Sequence, residues 1–276
     1  MTTLKGAALD AEILWICTPD ASIARVAAEI EVHLTGVPKR TAGNRSPLVG
    51  ADRQRHQVVF HSSGALDSGE LSILKTAGAS VASVHPLMSF PQPSFERVLR
   101  PRQLAADMFP LAGVPFALEG DIAACAVARR LVRALHGVPF PLSASNKPLY
   151  HAFGAFTSPL LVALLTATAE TGVAAGLKEK QVFRLMRPIV ERTVANFFSN
   201  GPGKSFSGPV ARGDVDTIER HLAALQDRER IADIYRQLSR YALDTLPRRK
   251  SAQMRKVLAR SAQKSASSSR SAASSA

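Results

Sequence analysis

The stretch EILWICTPDASIARVAAEI at residues 12–30 decides the fold class, because two different periodicities follow each other within it. Residues 12–19 form a short apolar run that ends at a proline, which is typical of a buried strand of a parallel sheet. Apolar residues then recur at helical spacing, at Ile23, Val26, Ala27 and Ile30. Asp20 is placed to cap that helix. A buried strand that leads into an amphipathic helix predicts an α/β fold.

The same alternation of strand and helix continues to about residue 142. The predicted strands cover 57–61, 79–84 and 114–119, the helices 67–77 and 121–136, and a short strand or extended link 140–142. Short turns separate these segments, which favours a mostly parallel sheet. Residues 36–55 contain glycines, prolines and basic residues and form a long loop, which is either functional or disordered.

The second half of the chain shows no strand pattern. Helices fit residues 148–175, 178–199 and 214–246, the last of them broken near Gln226–Asp227. The composition changes near Ser143. We therefore predict three parts, which are an α/β domain at 1–142, an all-helical domain at 143–246 and a basic disordered tail at 247–276. Within the tail, residues 255–259 could extend a helix.

The charge of the chain is concentrated in that tail. The formal net charge is +13, from 35 Lys and Arg against 22 Asp and Glu. Eight basic residues and no acidic residue lie after Pro247, so +5 remains for the rest of the chain. The tail can bind polyanions by charge, but it has no aromatic residues for stacking on bases. We favour a solvated terminus and expect no nucleic-acid partner.

Composition and motifs limit the remaining classes. The hydrophobic content of 46% excludes a disordered chain. No secretory signal is visible, and the uncharged run at 152–169 is interrupted by Pro159, so we predict a buried core helix, no membrane span and a cytoplasmic protein. Cys17 and Cys125 lie in apolar runs and are expected to be buried thiols. The sequence contains no P-loop, C-x-x-C, H-E-x-x-H or G-x-S-x-G motif, and no metal site is expected.

Three segments together resemble one known family. They are HSSGAL (61–66) leading to SVHPLMSF (83–90), NKPLYHAFGAF (146–156), and SGPVARGD (207–214) followed by Thr217 and His221-Leu222. Their order and spacing are similar to a bacterial family of unknown function, number 2520 among the domains of unknown function. Its members pair a Rossmann-like domain with a helical domain of the 6-phosphogluconate dehydrogenase type. The resemblance covers about residues 12–246 and implies a homodimer formed through the helical domain.

The resemblance also implies an activity. The wider superfamily includes ketopantoate reductase, pyrroline-5-carboxylate reductase and prephenate dehydrogenase. By this resemblance the protein is an oxidoreductase that uses NADP or NAD on a small carbon–oxygen or carbon–nitrogen centre, with a carboxylate-bearing substrate as one option. The family begins with a strand and a G-x-G-x-x-G turn, whereas here Gly6 and Gly36 are isolated and the strand at 13–17 resembles the family's fourth. Without that turn the chain is expected to bind the dinucleotide poorly or not at all.

Two explanations for this departure stay open. The sequence is either a fragment that lacks its first βαβ unit, which we favour, or a protein that has lost cofactor binding and kept another role. In the second case it would be a non-enzymatic binding or interaction protein that uses the helical dimerisation domain. The reading frame upstream of Met1 separates the two explanations, because an in-frame G-x-G-x-x-G would support the fragment.

The candidate ligand-binding residues follow the predicted strands. By the resemblance, Thr18 and Pro19 after the first strand contact the cofactor. The next strand leads into His61-Ser62-Ser63-Gly64 at its carboxyl end, where ligands bind in open α/β sheets. We assign His61 and Gly64 to the cofactor and Ser62 and Ser63 to the substrate. The alternatives are an ordinary strand end and a strand-to-helix turn.

The candidate catalytic residues lie further along the chain. His85 resembles the His-Pro of prephenate dehydrogenases, where a neutral imidazole could donate to a substrate carbonyl or carboxylate. Lys147 and His151 are four residues apart and can face one cleft, so we predict them as the catalytic pair. His151 stands where the superfamily has an asparagine, which leaves the reaction type open. Arg212, in a glycine-rich loop, suits bidentate binding of a substrate carboxylate. The alternatives are a backbone-satisfied histidine, a surface lysine beside a core-edge histidine, and an arginine in solvent.

Overall fold

The structure is a computed structural model of the 276-residue chain. It describes residues 4, 8–9, 11–36, 57–90, 111–247 and 252–259. The chain divides into two compact units, residues 1–159 and 160–276. Apart from Gly36, the predicted loop at 36–55 lies outside the described residues.

Five strands of the described residues form one sheet at the centre of the first unit. In spatial order its strands are β1 (Ile13–Ile16), β2 (Val58–His61), β3 (Ser80–Pro86), β4 (Pro115–Gly120) and β5 (Val138–Pro141). The first three strands are parallel to one another, β4 is antiparallel to β3, and β5 is parallel to β4. The prediction of a mostly parallel sheet is confirmed, with one antiparallel pair.

Both faces of the sheet are covered, which explains why its strands lack polar alternation. Successive side chains of a strand point to opposite faces. Val59 therefore packs in one apolar cluster with Ile23 of helix α1 (Ile23–Gly36). The same cluster includes a residue of helix α2 (Ser72–Thr76). Phe60 packs in the other cluster with Ala128 of helix α3 (Ile122–Ala134). The apolar positions predicted for α1 are buried, each 5% exposed or less.

Asp20 does not cap α1 as the sequence suggested. It begins a short 3-10 turn, Asp20–Ser22, and Pro19 stands at the cap position without a side-chain bond. The Asp20 carboxylate instead accepts a hydrogen bond from Ser63 Oγ at 2.9 Å. The expectation of a cap is therefore wrong, because this carboxylate binds a residue at the end of another strand.

Helix α4 (Lys147–Thr157) belongs to the first unit, although the sequence placed residues from 143 onward in the helical domain. The predicted helix at 148–175 is two helices, because Ser158 leaves helical geometry (φ −130°, ψ −82°) before Pro159. The helices that follow are α5 (Pro159–Ala174), α6 (Glu179–Ser205), α7 (Pro209–Arg212), α8 (Val215–Ala224), α9 (Glu229–Thr245) and α10 at residues 252–259. The described part of the second unit contains no strand, as predicted.

The tail prediction needs one correction. Residues 252–259 are helix α10 rather than disordered chain, and the suggested helical extension at 255–259 lies within it. Met254 and Leu258 are fully buried in a cluster with Ile218 and Leu243. An apolar stripe inside a basic segment therefore folds onto the second unit.

Two expectations about burial are also wrong. The run at 152–169 is not core within a single chain, since Leu160 and Val162 of α5 are 48% and 61% exposed. Residues 144–174 are long and apolar enough to cross a membrane by length and composition, but one such segment is weak evidence for a span. Cys17 is exposed and Cys125 is half-buried, so neither is a fully buried thiol.

Candidate active site

Parallel strands bring the candidate residues of the first unit to one edge of the sheet. The carboxyl ends of β1, β2 and β3 lie side by side there, and the first turn of α4 meets them. Ser63, which follows β2, makes hydrogen bonds to residues from β3, from α4 and from the segment after β1. Its hydroxyl donates to Asp20 after β1, and its carbonyl oxygen accepts from Ser83 Oγ of β3 at 3.1 Å and from Lys147 Nζ of α4 at 2.9 Å.

Lys147 lies beneath the surface of this edge. The residue is 1% exposed, and Nζ also donates to Ser83 Oγ at 2.5 Å. Burial lowers the pKa of Lys147, while the carboxylates of Glu119 and Asp67 act in the opposite direction. The ammonium therefore ties helix α4 to the ends of β2 and β3. The predicted catalytic lysine is at the site, but its bonds are to the protein.

The hydroxyl of Ser63 uses its full hydrogen-bonding capacity within the turn. A serine hydroxyl has one donor and two acceptor positions. That of Ser63 donates to Asp20 and accepts from the backbone N–H groups of Ala65 and Leu66 at 3.2 and 2.9 Å. No position is left for a substrate, so this hydroxyl holds the turn.

His61 is satisfied in the same way. The residue has no exposed surface, and its Nδ1 accepts from the backbone N–H of Ser63 at 3.1 Å. Its Nε2 lies 2.9 Å from the carbonyl oxygen of Asp67, which can only accept, so Nε2 carries the proton. Burial lowers the pKa of His61, which agrees with a neutral ring. These bonds leave His61 no free nitrogen for a cofactor.

His85 and Tyr150 form a neutral pair at the end of β3, which runs two residues further than predicted. His85 Nδ1 lies 2.7 Å from Tyr150 Oη, and the rings meet edge to face with centroids 5.5 Å apart. Burial, together with the charges of Lys147 and His151, lowers the pKa of His85 to about 4. Burial raises the pKa of Tyr150 to about 12. Both side chains are therefore uncharged near neutral pH.

Gly64 is the point at which two imidazole rings approach the backbone. A Cβ atom at this position would lie 2.7 Å from His85 Nε2 and 3.0 Å from His151 Cδ2. Only glycine lets both rings come so close. His151 is exposed, so of the predicted catalytic pair one member faces solvent and the other is buried.

The other predicted residues are placed as follows. Ser62 is half-buried, and its Oγ accepts from Trp15 Nε1 at 2.7 Å. Thr18 Oγ1 is buried without a hydrogen-bond partner among the described residues, and Pro19 is exposed. Arg212 is exposed at the end of α7 in the second unit, where its role in carboxylate binding stays a prediction.

Sequence reasoning missed three contributors to this edge. Tyr150 and Ser83 lie inside the motifs NKPLYHAFGAF and SVHPLMSF, so a signal was available in the same segments. Glu119, 8% exposed on β4, accepts from the N–H and hydroxyl of Ser68 at 2.7 and 2.8 Å. An acidic residue at the end of an apolar strand was its signal.

Within the described ranges, no group of three His, Cys, Asp or Glu residues could hold a metal ion.

Comparison with known proteins supports the family resemblance over part of the chain, and it supports the fold. Residues 114–242, from the start of β4 into α9, match the family described as "Domain of unknown function (DUF2520)", which confirms the resemblance over that range. No curated protein sequence matches the chain.

Several solved structures share the architecture. A protein from Thermotoga maritima is 21% identical, with a TM-score of 0.56 over 88% of this chain and 77% of its own. A Bacteroides fragilis protein provisionally described as an NADP oxidoreductase is 16% identical, with a TM-score of 0.60 over 85% of this chain and 76% of its own. An imine reductase from Myxococcus stipitatus in complex with NADP+ is 13% identical, with a TM-score of 0.55 over 88% and 78%. The chain therefore has the fold of the Rossmann-type reductases, an α/β unit followed by a helical one.

Proposed function

We propose that the protein is a nicotinamide-dependent oxidoreductase, using NADP or NAD, whose small substrate binds at the carboxyl edge of β1, β2 and β3. The neutral His85–Tyr150 pair, which meets the exposed His151 at Gly64, carries this proposal. Ligands of open α/β sheets bind at this edge. The fold supports the same reaction class, and a cytoplasmic location is proposed with it.

The same edge offers contacts for the nicotinamide end of a cofactor. Thr18 Oγ1 is a buried hydroxyl with no partner among the described residues, and a bound polar group could satisfy it. Pro19 and Gly64 would contribute backbone beside it. The sequence contains no G-x-G-x-x-G turn for the pyrophosphate, so we propose that this chain binds the dinucleotide weakly. A reduced nicotinamide, when bound, supplies a hydride.

The protein's own side chains would bind the substrate and move its proton. His85, being neutral, can donate a hydrogen bond to a substrate oxygen. His151 is exposed and close to the same glycine, so its imidazole can exchange a proton with the substrate. Lys147 would act indirectly, by fixing α4 against the strand ends.

Titration with NADPH and NADH, followed by nicotinamide fluorescence, tests this function. We expect little binding at micromolar concentrations by the chain as given. Micromolar binding would contradict the proposal that dinucleotide binding needs a G-x-G-x-x-G turn. A chain extended by a glycine-rich βαβ unit should bind, and failure of that chain to bind would refute the oxidoreductase proposal.

We further propose a homodimer formed through the helical unit. Large apolar side chains of this unit are exposed in the single chain, with Val162, Ile189 and Phe198 at 61%, 68% and 82%. Large apolar side chains that are exposed together in a single chain are typical of protein interfaces. Light scattering should give twice the chain mass of 29.5 kDa, and a monomer mass would contradict the proposal. If the protein is a dimer but the chain extended by a glycine-rich βαβ unit binds no nicotinamide cofactor, the non-enzymatic alternative would be favoured.

A further inference from the structure

Tyr150 is a buried polar residue that the sequence did not assign to the site. It is 9% exposed on α4, and its ring packs edge to face against His85 and against Phe140, whose centroid is 6.1 Å away. Its hydroxyl is thereby held 2.7 Å from His85 Nδ1. The packing of the ring therefore fixes the position of Tyr150 Oη relative to His85 Nδ1.

The direction of this hydrogen bond decides which nitrogen of His85 carries the proton. A neutral imidazole has one donor and one acceptor nitrogen, and the bond made by one of them selects the tautomer. If Tyr150 donates, Nδ1 accepts and Nε2–H is free. If Nδ1–H donates instead, the phenol proton must find another acceptor. A buried donor without an acceptor costs free energy, so the first arrangement is favoured.

His85 Nε2 lies on the Gly64 side of the ring. The nitrogen is 2.7 Å from the position that a Cβ of Gly64 would occupy, and the exposed His151 ring reaches the same position. His85 itself is half-buried. The backbone at Gly64 thus leaves room for this nitrogen at the carboxyl edge of the sheet, where the substrate is proposed to bind.

We propose that Tyr150 is a positioning residue that fixes His85 in the Nε2–H tautomer, and that this N–H binds a carbonyl or carboxylate oxygen of the substrate. The identity of the ligand as a substrate rests on the proposed function, whereas the tautomer does not. The buried ammonium of Lys147 binds Ser83, two residues before His85 on β3, so this region favours an oxygen acceptor over a cation. A protonated imine nitrogen has no lone pair to accept this bond, so such a substrate would have to present an oxygen to His85 Nε2.

The second unit contains another histidine–tyrosine pair, which serves as a control. His221 Nδ1 lies 2.9 Å from Tyr235 Oη, with ring centroids 5.7 Å apart at 85°. Here the histidine is exposed and lies outside the candidate site. Removal of either phenol oxygen is the same chemical change, so Tyr150→Phe and Tyr235→Phe can be compared directly.

Nitrogen NMR of the histidines in the whole protein measures the tautomer. In the wild type near neutral pH, we expect a protonated-type signal at His85 Nε2 and an unprotonated-type signal at Nδ1. Tyr150→Phe should mix the two tautomers, whereas Tyr235→Phe should leave His85 unchanged. The opposite assignment in the wild type, or an unchanged tautomer in Tyr150→Phe, would overturn the role of Tyr150.

Pyruvate, which carries both a carbonyl and a carboxylate, is the probe for the oxygen site, with methylammonium as the cation control. Pyruvate should shift the His85 Nε2 signal in the wild type and shift it several-fold less in Tyr150→Phe. Absence of a shift with pyruvate, or an equal shift with methylammonium, would overturn the oxygen assignment. Failure of the chain to bind NADPH would leave both readouts intact, so the two proposals fail separately.

Discussion

The Lys147 ammonium lies 2.9 Å from the carbonyl oxygen of Ser63, although 84 positions separate the two residues in the chain. A second bond from the same nitrogen reaches Ser83 of β3. Burying an ammonium costs free energy unless its donors are satisfied, so these bonds hold α4 in one register against the sheet. The position of Tyr150 and His151, one turn further along α4, therefore depends on Lys147.

Replacing the buried amine should destabilise the first unit. Lys147→Met keeps most of the length of the side chain but removes the group that donates to Ser63 and Ser83. We expect the free energy of unfolding to fall by about 1–3 kcal/mol. Urea unfolding can be followed by the fluorescence of Trp15, the only tryptophan of the chain. The control is Lys75→Met, because Lys75 pairs with Asp121 at 2.5 Å with 59% of its side chain exposed.

That surface pair should contribute about 1 kcal/mol or less, since exposed ion pairs gain little in water. A loss at Lys75 as large as that at Lys147 would contradict the view that burial makes the Lys147 contacts important. So would a Lys147→Met protein as stable as the wild type.

A side chain at position 64 should disturb the two histidines. In Gly64→Ala the new Cβ would stand 2.7 Å from His85 Nε2, closer than real Cβ contacts allow, so a ring or the backbone must shift. We expect a destabilisation of about 1–3 kcal/mol, in the range of overpacked sites. Changed NMR signals for His85 and His151 should accompany it.

Gly154→Ala is the matched control on α4. A Cβ there would lie 3.4 Å from Leu87 Cδ1, which is ordinary contact, and alanine is the better helix former by about 0.5–1 kcal/mol. The control should be neutral or stabilising. If both substitutions had the same effect, the close approach at Gly64 would have no energetic importance.

The stability of the first unit should fall on mild acidification because of His85. Its pKa is about 4 in the folded chain and 6.5 ordinarily, so the unfolded chain binds the proton more readily between these values. The stabilisation from the neutral ring is complete above pH 6.5 and is lost as the pH falls toward about 4. The charged groups acting on this ring are Lys147, His151 and Asp20, and the first two favour its neutral form.

Urea midpoints of the wild type and of His85→Asn, measured across this pH range, isolate the contribution. The difference between the two proteins should change with pH between about 4 and 6.5 and stay constant above it. His221→Asn, in the second unit, serves as the control for a general effect of losing a histidine. A pH-independent difference for His85→Asn would refute the prediction.

The fold was largely predictable because burial on both faces removes polar residues from a strand. Val58 and Val59 face opposite sides of the sheet, and each meets an apolar cluster. Each strand therefore appears in the sequence as a continuous apolar run, which made it easy to locate. The end of a helix was harder to place, since the break at Ser158 depends on Pro159 and not on any change in hydrophobicity.

The location of the candidate site was predictable, whereas the task of each side chain was not. Parallel strands place their carboxyl ends together, so Ser63 and His85 were expected near each other. Whether a hydroxyl is free depends on contacts between distant residues, such as the bond from Ser63 to Asp20, 43 positions away. The bond between His85 and Tyr150, 65 positions apart, is hidden from the sequence for the same reason.

The helix at 252–259 should stabilise the second unit although it lies in a basic segment. Leu258 has no exposed surface and packs with Ile218 and Leu243, so Leu258→Ala should cost about 2–5 kcal/mol. Hydrogen exchange of the amides of α8 and α9 would show the loss as faster exchange. Lys256→Ala, exposed on the same helix, is the control and should change exchange little. If Leu258→Ala left α8 and α9 as protected as the wild type, the packing of this helix would contribute nothing to the second unit.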